Sequence, residues 1–170
     1  NLGEVIDGLI ALIENKDVSY KKLSNIIKGP DFPTGGELIC NRSIEELYAT
    51  GKGSITTRGI IKTEEINLGK GKHKKNALII SELPYQVSKA GWIEKLAELV
   101  NLNKINGISD IRDESDRDGM RIVIELKKDA NNELLISNLY KKTTLQNNFG
   151  AIFLALIKGK PVQLNLKQYL

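Results

Sequence analysis

Cysteine, histidine, methionine and tryptophan each occur only once in this sequence of 170 residues. A disulfide needs two cysteines, so Cys40 has no partner within the chain, and a disulfide-stabilised scaffold is excluded. A structural zinc site needs several cysteine or histidine ligands, which Cys40 and His73 alone cannot supply. The sequence therefore predicts no metal site of this kind, and its lone cysteine fits a reducing compartment.

Long apolar runs are also missing. The longest uninterrupted one is AIFLALI, residues 151–157, whereas a membrane-spanning helix needs about 20 apolar residues. Hydrophobic residues make up 41% of the chain and charged residues 27%, which is typical of a globular domain with its own core. No signal or transit pattern opens the chain. We expect no membrane association, and we interpret the sequence as a piece excised from a larger protein.

Positive charge is concentrated in one stretch of the chain. Between positions 52 and 75, seven basic residues stand against two acidic ones, which gives a net charge of +5 in a chain whose total is +4. A local basic patch favours a polyanionic partner more than evenly spread charge does. The alternative is a solvated loop whose lysines only keep it soluble. The basic residues are Lys52, Arg58, Lys62, Lys70, Lys72, Lys74 and Lys75.

The stretch ESDRDGMRIVIE, residues 114–125, has the acidic residues and the glycine of a calcium-binding EF-hand loop. That loop is followed by a helix and usually has an apolar residue at its eighth position, where this chain has Arg121. The residues after Gly119 instead alternate as in a β-strand and include several β-branched side chains. We therefore predict a charged turn, with Gly119 at a positive φ, that leads into a strand and binds no calcium.

No catalytic arrangement stands out. His73 lies among lysines in KGKHKK, where no Ser-His-Asp arrangement is expected. TGKGS, residues 50–54, resembles a P-loop but has Gly53 where serine or threonine is required, and LGKGKHK lacks the third glycine of a dinucleotide site. Carboxylates are scattered, and nothing selects an acid–base pair among them. From these patterns alone we expect a globular module with a basic hairpin.

Periodicity and capping residues predict a mixed α+β fold with mainly antiparallel strands. Helices are expected after Asn1, Ser19, Ser43 and Ser88 and over Asn131–Lys142, and Asn1 and Ser43 each open a capping box. A last helix is expected to begin in LKQYL, residues 166–170. Strands are expected at residues 54–66, 77–85, 105–112, 119–128, 149–157 and 160–166, with a hairpin loop at 68–76.

Six longer stretches carry a family resemblance. They are NLGEVIDG, GPDFPTGG, IEELYATGKG, ELPYQVSKAGWIEKLAELV, GISDIRDESDRDGMRIVIELKKDA and LYKKTTLQNNFG. Together they resemble the A subunit of bacterial-type DNA gyrase, a type IIA DNA topoisomerase. They stand in that family's order, and the resemblance extends over nearly all of residues 1–170. The A subunit of topoisomerase IV is a near relative and the first alternative.

The resemblance implies which part of the gyrase protein the chain represents. In the family, a winged-helix region carries an Arg-Tyr pair whose tyrosine attacks DNA, whereas none of the five tyrosines here follows an arginine. No catalytic residue is therefore expected. The resemblance implies the tower domain of the breakage-reunion region, an α+β unit with a ribosomal-protein-like fold, as a single domain over residues 1–170. Residues 1–30 would lead in from the winged-helix region, and residues 166–170 would begin a helix toward the coiled-coil exit gate.

The implied role is to support the arms of the bent gate DNA during ATP-dependent double-strand passage and negative supercoiling. The implied partners are double-stranded DNA, two B subunits and a second A subunit. ATP and Mg would bind the B subunits, and this chain would bind no cofactor. The complex would act in the cytoplasm at the nucleoid, or in a plastid. Such support needs cations on phosphates instead of base-reading groups. The candidate DNA-binding residues are Arg42, Lys52, Arg58, Lys70, Lys72, Lys74 and Lys75.

Two other classes of protein remain as alternatives. An RNA-binding ribosomal-type domain would share the basic hairpin, but it should not carry GPDFPTGG and DESDRDGMR in this order. A stand-alone enzyme for small molecules is disfavoured because the chain lacks an evident nucleophile and a metal-ligand set.

Overall fold

In a computed structural model, the described residues are 1–39, 42–67 and 74–170, without the side chains of Asn67 and Lys74. These residues form six helices and nine strands, which confirms the predicted α+β class although the sequence indicated fewer elements. Within the described ranges, no helix has the length and apolar character to span a bilayer. In chain order the elements are α1 (Leu2–Glu14), α2 (Tyr20–Ile26), β1 (Glu37–Ile39), α3 (Ser43–Thr50), β2 (Lys52–Arg58), β3 (Ile60–Asn67), β4 (Lys74–Glu82), α4 (Lys89–Asn101), β5 (Ile108–Asp113), β6 (Ile122–Leu126), α5 (Asn132–Lys142), β7 (Gln146–Ile152), β8 (Leu154–Ile157), β9 (Lys160–Gln163) and α6 (Leu166–Tyr169).

The chain divides into two compact units. The first unit comprises Asn1–Phe32, Leu38–Thr56 and Asn148–Leu170, and the second comprises Pro33–Glu37 and Thr57–Asn147. The strands form three sheets, with the orders β1-β2-β7, β3-β4-β6-β5 and β8-β9. All pairings in the four-stranded and two-stranded sheets are antiparallel, as the sequence predicted.

Short polar side chains cap the N-termini of four helices at the predicted positions. Asn1, Ser19, Ser88 and Asn131 each accept a hydrogen bond from the backbone N–H three residues later, at distances between 3.0 and 3.4 Å. These bonds satisfy N–H groups that have no partner inside the first turn of a helix. Local sequence therefore decides where these four helices begin.

The capping box predicted at Ser43 is wrong. Ser43 is the first helical residue of α3, and Arg42 precedes it as the cap, with φ −54° and ψ −10° and no capping hydrogen bond from its side chain. Because Arg42 already has helical dihedral angles, Ser43 lies inside the helix and not at its boundary. The end of α3 agrees with the sequence, since Gly51 adopts the left-handed conformation at φ +75°.

The strand predicted over residues 54–66 is two strands, β2 and β3, which belong to different sheets. Gly59 separates them. A Cβ at this position would lie 2.6 Å from the carbonyl oxygen of Glu82 and 2.6 Å from the Leu145 side chain, so the close approach of other segments requires glycine. The run at 149–157 is likewise divided, into β7 and β8.

The hairpin predicted around the lysine-rich segment is present. β3 pairs with β4, and the last described pair is Asn67 with Lys74. The predicted loop at 68–76 is too long, because β4 already begins at Lys74 and pairs along the whole of β3. Residues 68–73 lie outside the described residues.

Each unit has its own hydrophobic core. In the second unit, one face of the four-stranded sheet packs with α4 and α5, and the core includes the fully buried Leu78, Ile124, Leu96 and Leu139. Alternate residues of a strand point to opposite faces, and the other face of this sheet carries a smaller buried cluster of Ala77, Ile79 and Val123. The core of the first unit consists of Val18, Leu23, Ile27, Ile44, Leu47, Tyr48, Ile55, Ala151 and Leu166.

Candidate nucleic-acid interface

Two of the predicted DNA-binding residues lie in the first unit. Arg42 is exposed and precedes α3, and Lys52 is exposed at the start of β2. In the part of the chain that the structure describes, neither side chain forms an ion pair with a carboxylate. Exposed cations of this kind can neutralise DNA phosphates, which releases the counterions condensed on the DNA.

Polar residues follow Lys52 along the exposed side of β2. Exposure alternates along the strand, with Ser54 exposed and Ile55 buried. Thr56 Oγ1 donates a hydrogen bond to Asn148 Oδ1 at 2.8 Å. Since side chains two residues apart share a face, Lys52, Ser54 and Thr56 form a polar row on the first unit.

Arg58, in the second unit, is held by neutral groups. Its Nε and Nη2 donate to Gln146 Oε1 at 2.9 and 2.6 Å, and its guanidinium carbon lies 4.3 Å from the centroid of the Tyr140 ring. The Tyr140 hydroxyl donates to the Gly59 carbonyl oxygen at 3.1 Å. Burial raises the pKa of Tyr140, so this hydroxyl remains a donor at neutral pH. The stack and the amide together fix the orientation of a partly exposed cation.

Lys75 is placed differently from the lysine of a solvated hairpin tip. Its Nζ lies 3.5 Å from Oε2 of Glu125, whose side chain is only 5% exposed. Arg112 Nη1 donates to Oε1 of the same carboxylate, and this bond is the main cause of the raised pKa of Arg112. A buried carboxylate is tolerated only with partners of this kind. The charge of Lys75 is therefore already matched within the protein.

Further charges alternate on this face of the four-stranded sheet. Arg121 Nη2 lies 2.8 Å from Glu64, and Arg121 Nε lies 3.3 Å from Glu114. Arg112 in turn contacts Asp110 at 3.1 Å and Glu114 at 3.2 Å. Because carboxylates accompany each guanidinium, these arginines stabilise the sheet and do not present unbalanced positive charge.

The remaining predicted DNA contacts are Lys70, Lys72 and Lys74. Lys70 and Lys72 are outside the described residues, and so is the side chain of Lys74, whose backbone belongs to β4. Their contacts with DNA stay predictions.

The charged turn that resembles a calcium loop leads into a strand, as predicted. Gly119 has φ +155°, and the backbones of Asp116 and Gly119 pair across the turn, at 3.1 and 3.3 Å. All five residues of β6 are buried. Across residues 1–39, 42–67 and 74–170, no group of three His, Cys, Asp or Glu side chains is arranged to hold a metal ion. That calcium does not bind here stays a prediction.

Asp113, at the end of β5, allows a test of the electrostatics of this turn. The Lys89 ammonium at 2.7 Å, the Ser115 hydroxyl and the N–H of Ser115 at 3.0 Å hold its pKa at about 2, against an ordinary 3.8. We expect Lys89→Gln to raise this pKa toward 3.8, measured by NMR titration of the carboxyl carbon. Because the folded-state pKa is the lower one, the stabilisation is present above about pH 4 and is lost as the pH falls toward about 2. Lys95→Gln, which removes only the exposed pair with Glu98, should leave the titration of Asp113 unchanged; an unchanged pKa in Lys89→Gln would contradict this explanation.

The sequence did not reveal a cavity beside Arg58. The cavity has a volume of about 450 Å³ and is lined in part by Lys141, a cation outside the basic stretch at residues 52–75. Helical spacing puts the α5 residues on one face, but Arg58 and Gln146 come from distant positions, so no local pattern joins them. The lining residues are Arg58, Glu133, Ile136, Ser137, Tyr140, Lys141 and Gln146.

Comparison with known proteins decides the family. The family model for the A subunit of DNA gyrase/topoisomerase IV matches residues 1–170. The chain belongs to this family. The A subunit of DNA topoisomerase 4 from Synechocystis sp. is 54% identical over 171 residues, which cover 100% of this chain and 19% of that protein. The DNA gyrase A subunit of the same organism is 55% identical over 170 residues, covering 100% of this chain and 20% of that protein. The DNA gyrase A subunit of Halalkalibacterium halodurans is 54% identical over 169 residues, covering 99% and 20%.

Membership in the family of DNA gyrase and topoisomerase IV A subunits confirms the resemblance carried by the six motifs. The chain spans about one fifth of the length of these relatives. Identity to the topoisomerase 4 protein and identity to the gyrase protein of one organism differ by a single percentage point, 54% against 55%. Overall identity therefore does not separate the two members of the family.

Proposed function

We propose that this chain is a non-catalytic DNA-binding part of a type IIA topoisomerase A subunit, its tower domain. It supports the arms of the bent gate DNA during ATP-dependent double-strand passage. The observation that carries the proposal is the family match over residues 1–170, in a chain where no tyrosine follows an arginine. The parent enzyme is an isomerase that supercoils DNA negatively as gyrase, and the same domain of topoisomerase IV is the alternative.

In the parent complex, two B subunits and a second A subunit complete the assembly. ATP and Mg bind the B subunits, and the complex acts on chromosomal DNA in the cytoplasm, or in a plastid. The contribution of this chain is electrostatic. It places cations on phosphates and leaves both the strand-cleaving tyrosine and the nucleotide chemistry to other parts of the enzyme.

Exposed cations without carboxylate partners support this role. Bending a DNA site of ~20–30 base pairs costs on the order of 1–6 kcal/mol, and contacts to the DNA arms offset part of that cost. In the first unit, Arg42 and Lys52 are exposed and unmatched by a carboxylate among the described residues. Such residues bind phosphates without reading base sequence.

Duplex DNA binding by the chain is expected to be weak, independent of sequence and strongly dependent on salt. Non-specific dissociation constants are typically ~10⁻⁴–10⁻⁶ M at physiological salt. Since each phosphate contact displaces about 0.9 of a counterion, Arg42→Gln/Lys52→Gln should reduce the slope of log affinity against log salt by about 1.8. Fluorescence anisotropy with a short labelled duplex at several salt concentrations measures this slope. Lys95→Gln/Lys128→Gln, which changes the net charge equally, should leave it unchanged.

The lysines at positions 70, 72 and 74 are tested by a separate variant. Lys70→Gln/Lys72→Gln/Lys74→Gln should reduce the slope of log affinity against log salt. The reduction should be about 2 if two of the three lysines touch a phosphate and about 3 if all three do. Lys75→Gln should change the slope less than a single substitution among these three lysines, because Glu125 already pairs with the Lys75 ammonium. Wild-type affinity that stays flat from low to high salt would refute phosphate contacts and the proposed function with them.

A further inference from the structure

We propose that the cavity beside Arg58 is a subsite for one phosphate group, supplied by the backbone of duplex DNA. The identity of the ligand as DNA rests on the proposed function, whereas the anion site itself follows from the geometry. All lining residues belong to the second unit, where α5 faces the end of β2 and the start of β7. The cavity volume of about 450 Å³ accommodates a phosphodiester with bound water.

Arg58 is pre-organised to bind an anion. Gln146 accepts from two of its nitrogens and its guanidinium carbon lies over the Tyr140 ring, so its orientation is set before a ligand arrives. Among the described residues, its third nitrogen, Nη1, donates to no acceptor. The planar guanidinium binds phosphate with directed N–H groups, and a side chain already held in place loses little rotamer freedom on binding.

The surroundings of Arg58 differ from those of the other partly buried arginines in the same unit. Arg112 contacts three carboxylates and Arg121 contacts two. Within the ranges that the structure describes, Arg58 contacts none, and its partners are an uncharged amide and an aromatic ring. Partial desolvation of a cation without a counter-charge is unfavourable, and an anion in the cavity would compensate it.

The other polar groups of the cavity favour a singly charged ligand. Lys141 adds a second positive charge and Ser137 a hydroxyl donor, but Glu133 also lines the cavity. Two cations and one carboxylate leave a net charge of +1. This charge matches one phosphodiester group, which carries a single negative charge. A dianionic free phosphate would leave the occupied cavity with a net charge of −1, whereas a phosphodiester leaves it neutral.

The test measures duplex binding by the chain and its single variants. Arg58→Gln and Lys141→Gln should each reduce the slope of log affinity against log salt by about 0.9, and Lys95→Gln should not change it. Arg58→Lys keeps the charge but loses the directed donors and the stack, so it should keep the slope and weaken binding. Lys141 is an exposed residue of α5, so its variant is expected to fold even if a substitution at Arg58 disturbs the stack.

A second measurement separates the sources of phosphate and the two proposals. NMR shifts of the Arg58 and Gln146 side chains are followed during titration with dimethyl phosphate and, in parallel, with inorganic phosphate. Preference for dimethyl phosphate, with the slope changes above, supports the DNA subsite. If the wild-type chain shows no salt-dependent binding of DNA but both anions shift these signals, the proposed function fails and the cavity is a free-anion site. If DNA binds with a slope that Arg58→Gln and Lys141→Gln leave unchanged, this inference is overturned while the proposed function stands.

Discussion

Arg112→Met is expected to lower the free energy of unfolding by about 3 kcal/mol, near the lower end of the ~3–5 kcal/mol typical for breaking a buried ion pair. The variant leaves the Glu125 carboxylate, 5% exposed, with Lys75 as its remaining cation at 3.5 Å. Methionine retains most of the apolar stem, so the loss reports the missing charge more than missing packing. Urea denaturation followed by circular dichroism measures the difference in unfolding free energy between the variant and the wild type. Equal slopes of free energy against urea concentration indicate that the same unfolding transition is measured in both.

The matched control for this prediction is Arg121→Met. Arg121 has the same side-chain exposure as Arg112, 38%, but its partners Glu64 and Glu114 are 40% and 41% exposed. Exposed pairs contribute about 0–1 kcal/mol, so this variant should lose less than about 1 kcal/mol. Glu125→Leu should also lose less than Arg112→Met, because it removes the buried charge and leaves cations that water can reach. Equal losses of unfolding free energy in Arg112→Met and Arg121→Met would mean that Arg112 does not stabilise the buried Glu125 carboxylate.

Gly51→Ala is expected to lower the free energy of unfolding by roughly 2–5 kcal/mol, the sum of a left-handed backbone conformation and overpacking. Gly51 has φ +75°, and a Cβ there would lie 2.7 Å from the carbonyl carbon of Leu164 and closer still to its oxygen. The backbone cannot easily move away, because the Gly51 N–H donates to Leu47 and its carbonyl accepts from Phe153, at 2.7 and 2.8 Å. Urea unfolding of the purified variant is the measurement.

Three further variants separate the two causes of this loss. At Gly119, φ is +155° and an added Cβ would have no atom within 4 Å. At Gly150, φ is not in the left-handed range and an added Cβ would also have no atom within 4 Å. We therefore expect Gly150→Ala to be nearly neutral and Gly119→Ala to show only the conformational cost. Gly51→Asn should recover part of the conformational cost but not the steric one, because asparagine tolerates the left-handed region. A stable Gly51→Ala variant would show that the Leu164 segment yields to the added methyl group.

Structural features that depend on a few neighbouring residues were predicted well from the sequence. The caps at Asn1, Ser19, Ser88 and Asn131 need only a side-chain oxygen and an N–H three residues later, so local sequence specifies them. The strand after Gly119 follows from alternation over a few positions. The same reasoning misplaced the cap of α3, because the backbone of Arg42 is already helical and local side-chain preference did not reveal it.

Boundaries set by distant segments could not be read from the chain. Most residues at 54–66 are suited to a strand, yet β2 and β3 join different sheets, and Gly59 lies between them. The break follows from the approach of Glu82 and Leu145, which are far along the sequence. β-propensity describes a residue's fit to a pleated surface and carries no information about which sheet it joins.

The candidate interface shows the same division. Residue order alone was enough to indicate the family, the α+β class, the lack of a tyrosine after an arginine, and the basic stretch between Lys52 and Lys75. Folding decided what each of those cations contacts. Lys75 faces the buried Glu125, whereas Arg58 lies against Tyr140 and Gln146 beside Lys141. The physical reason is that the availability of a charge depends on burial and on counter-charges within a few ångströms, which residues distant in sequence supply.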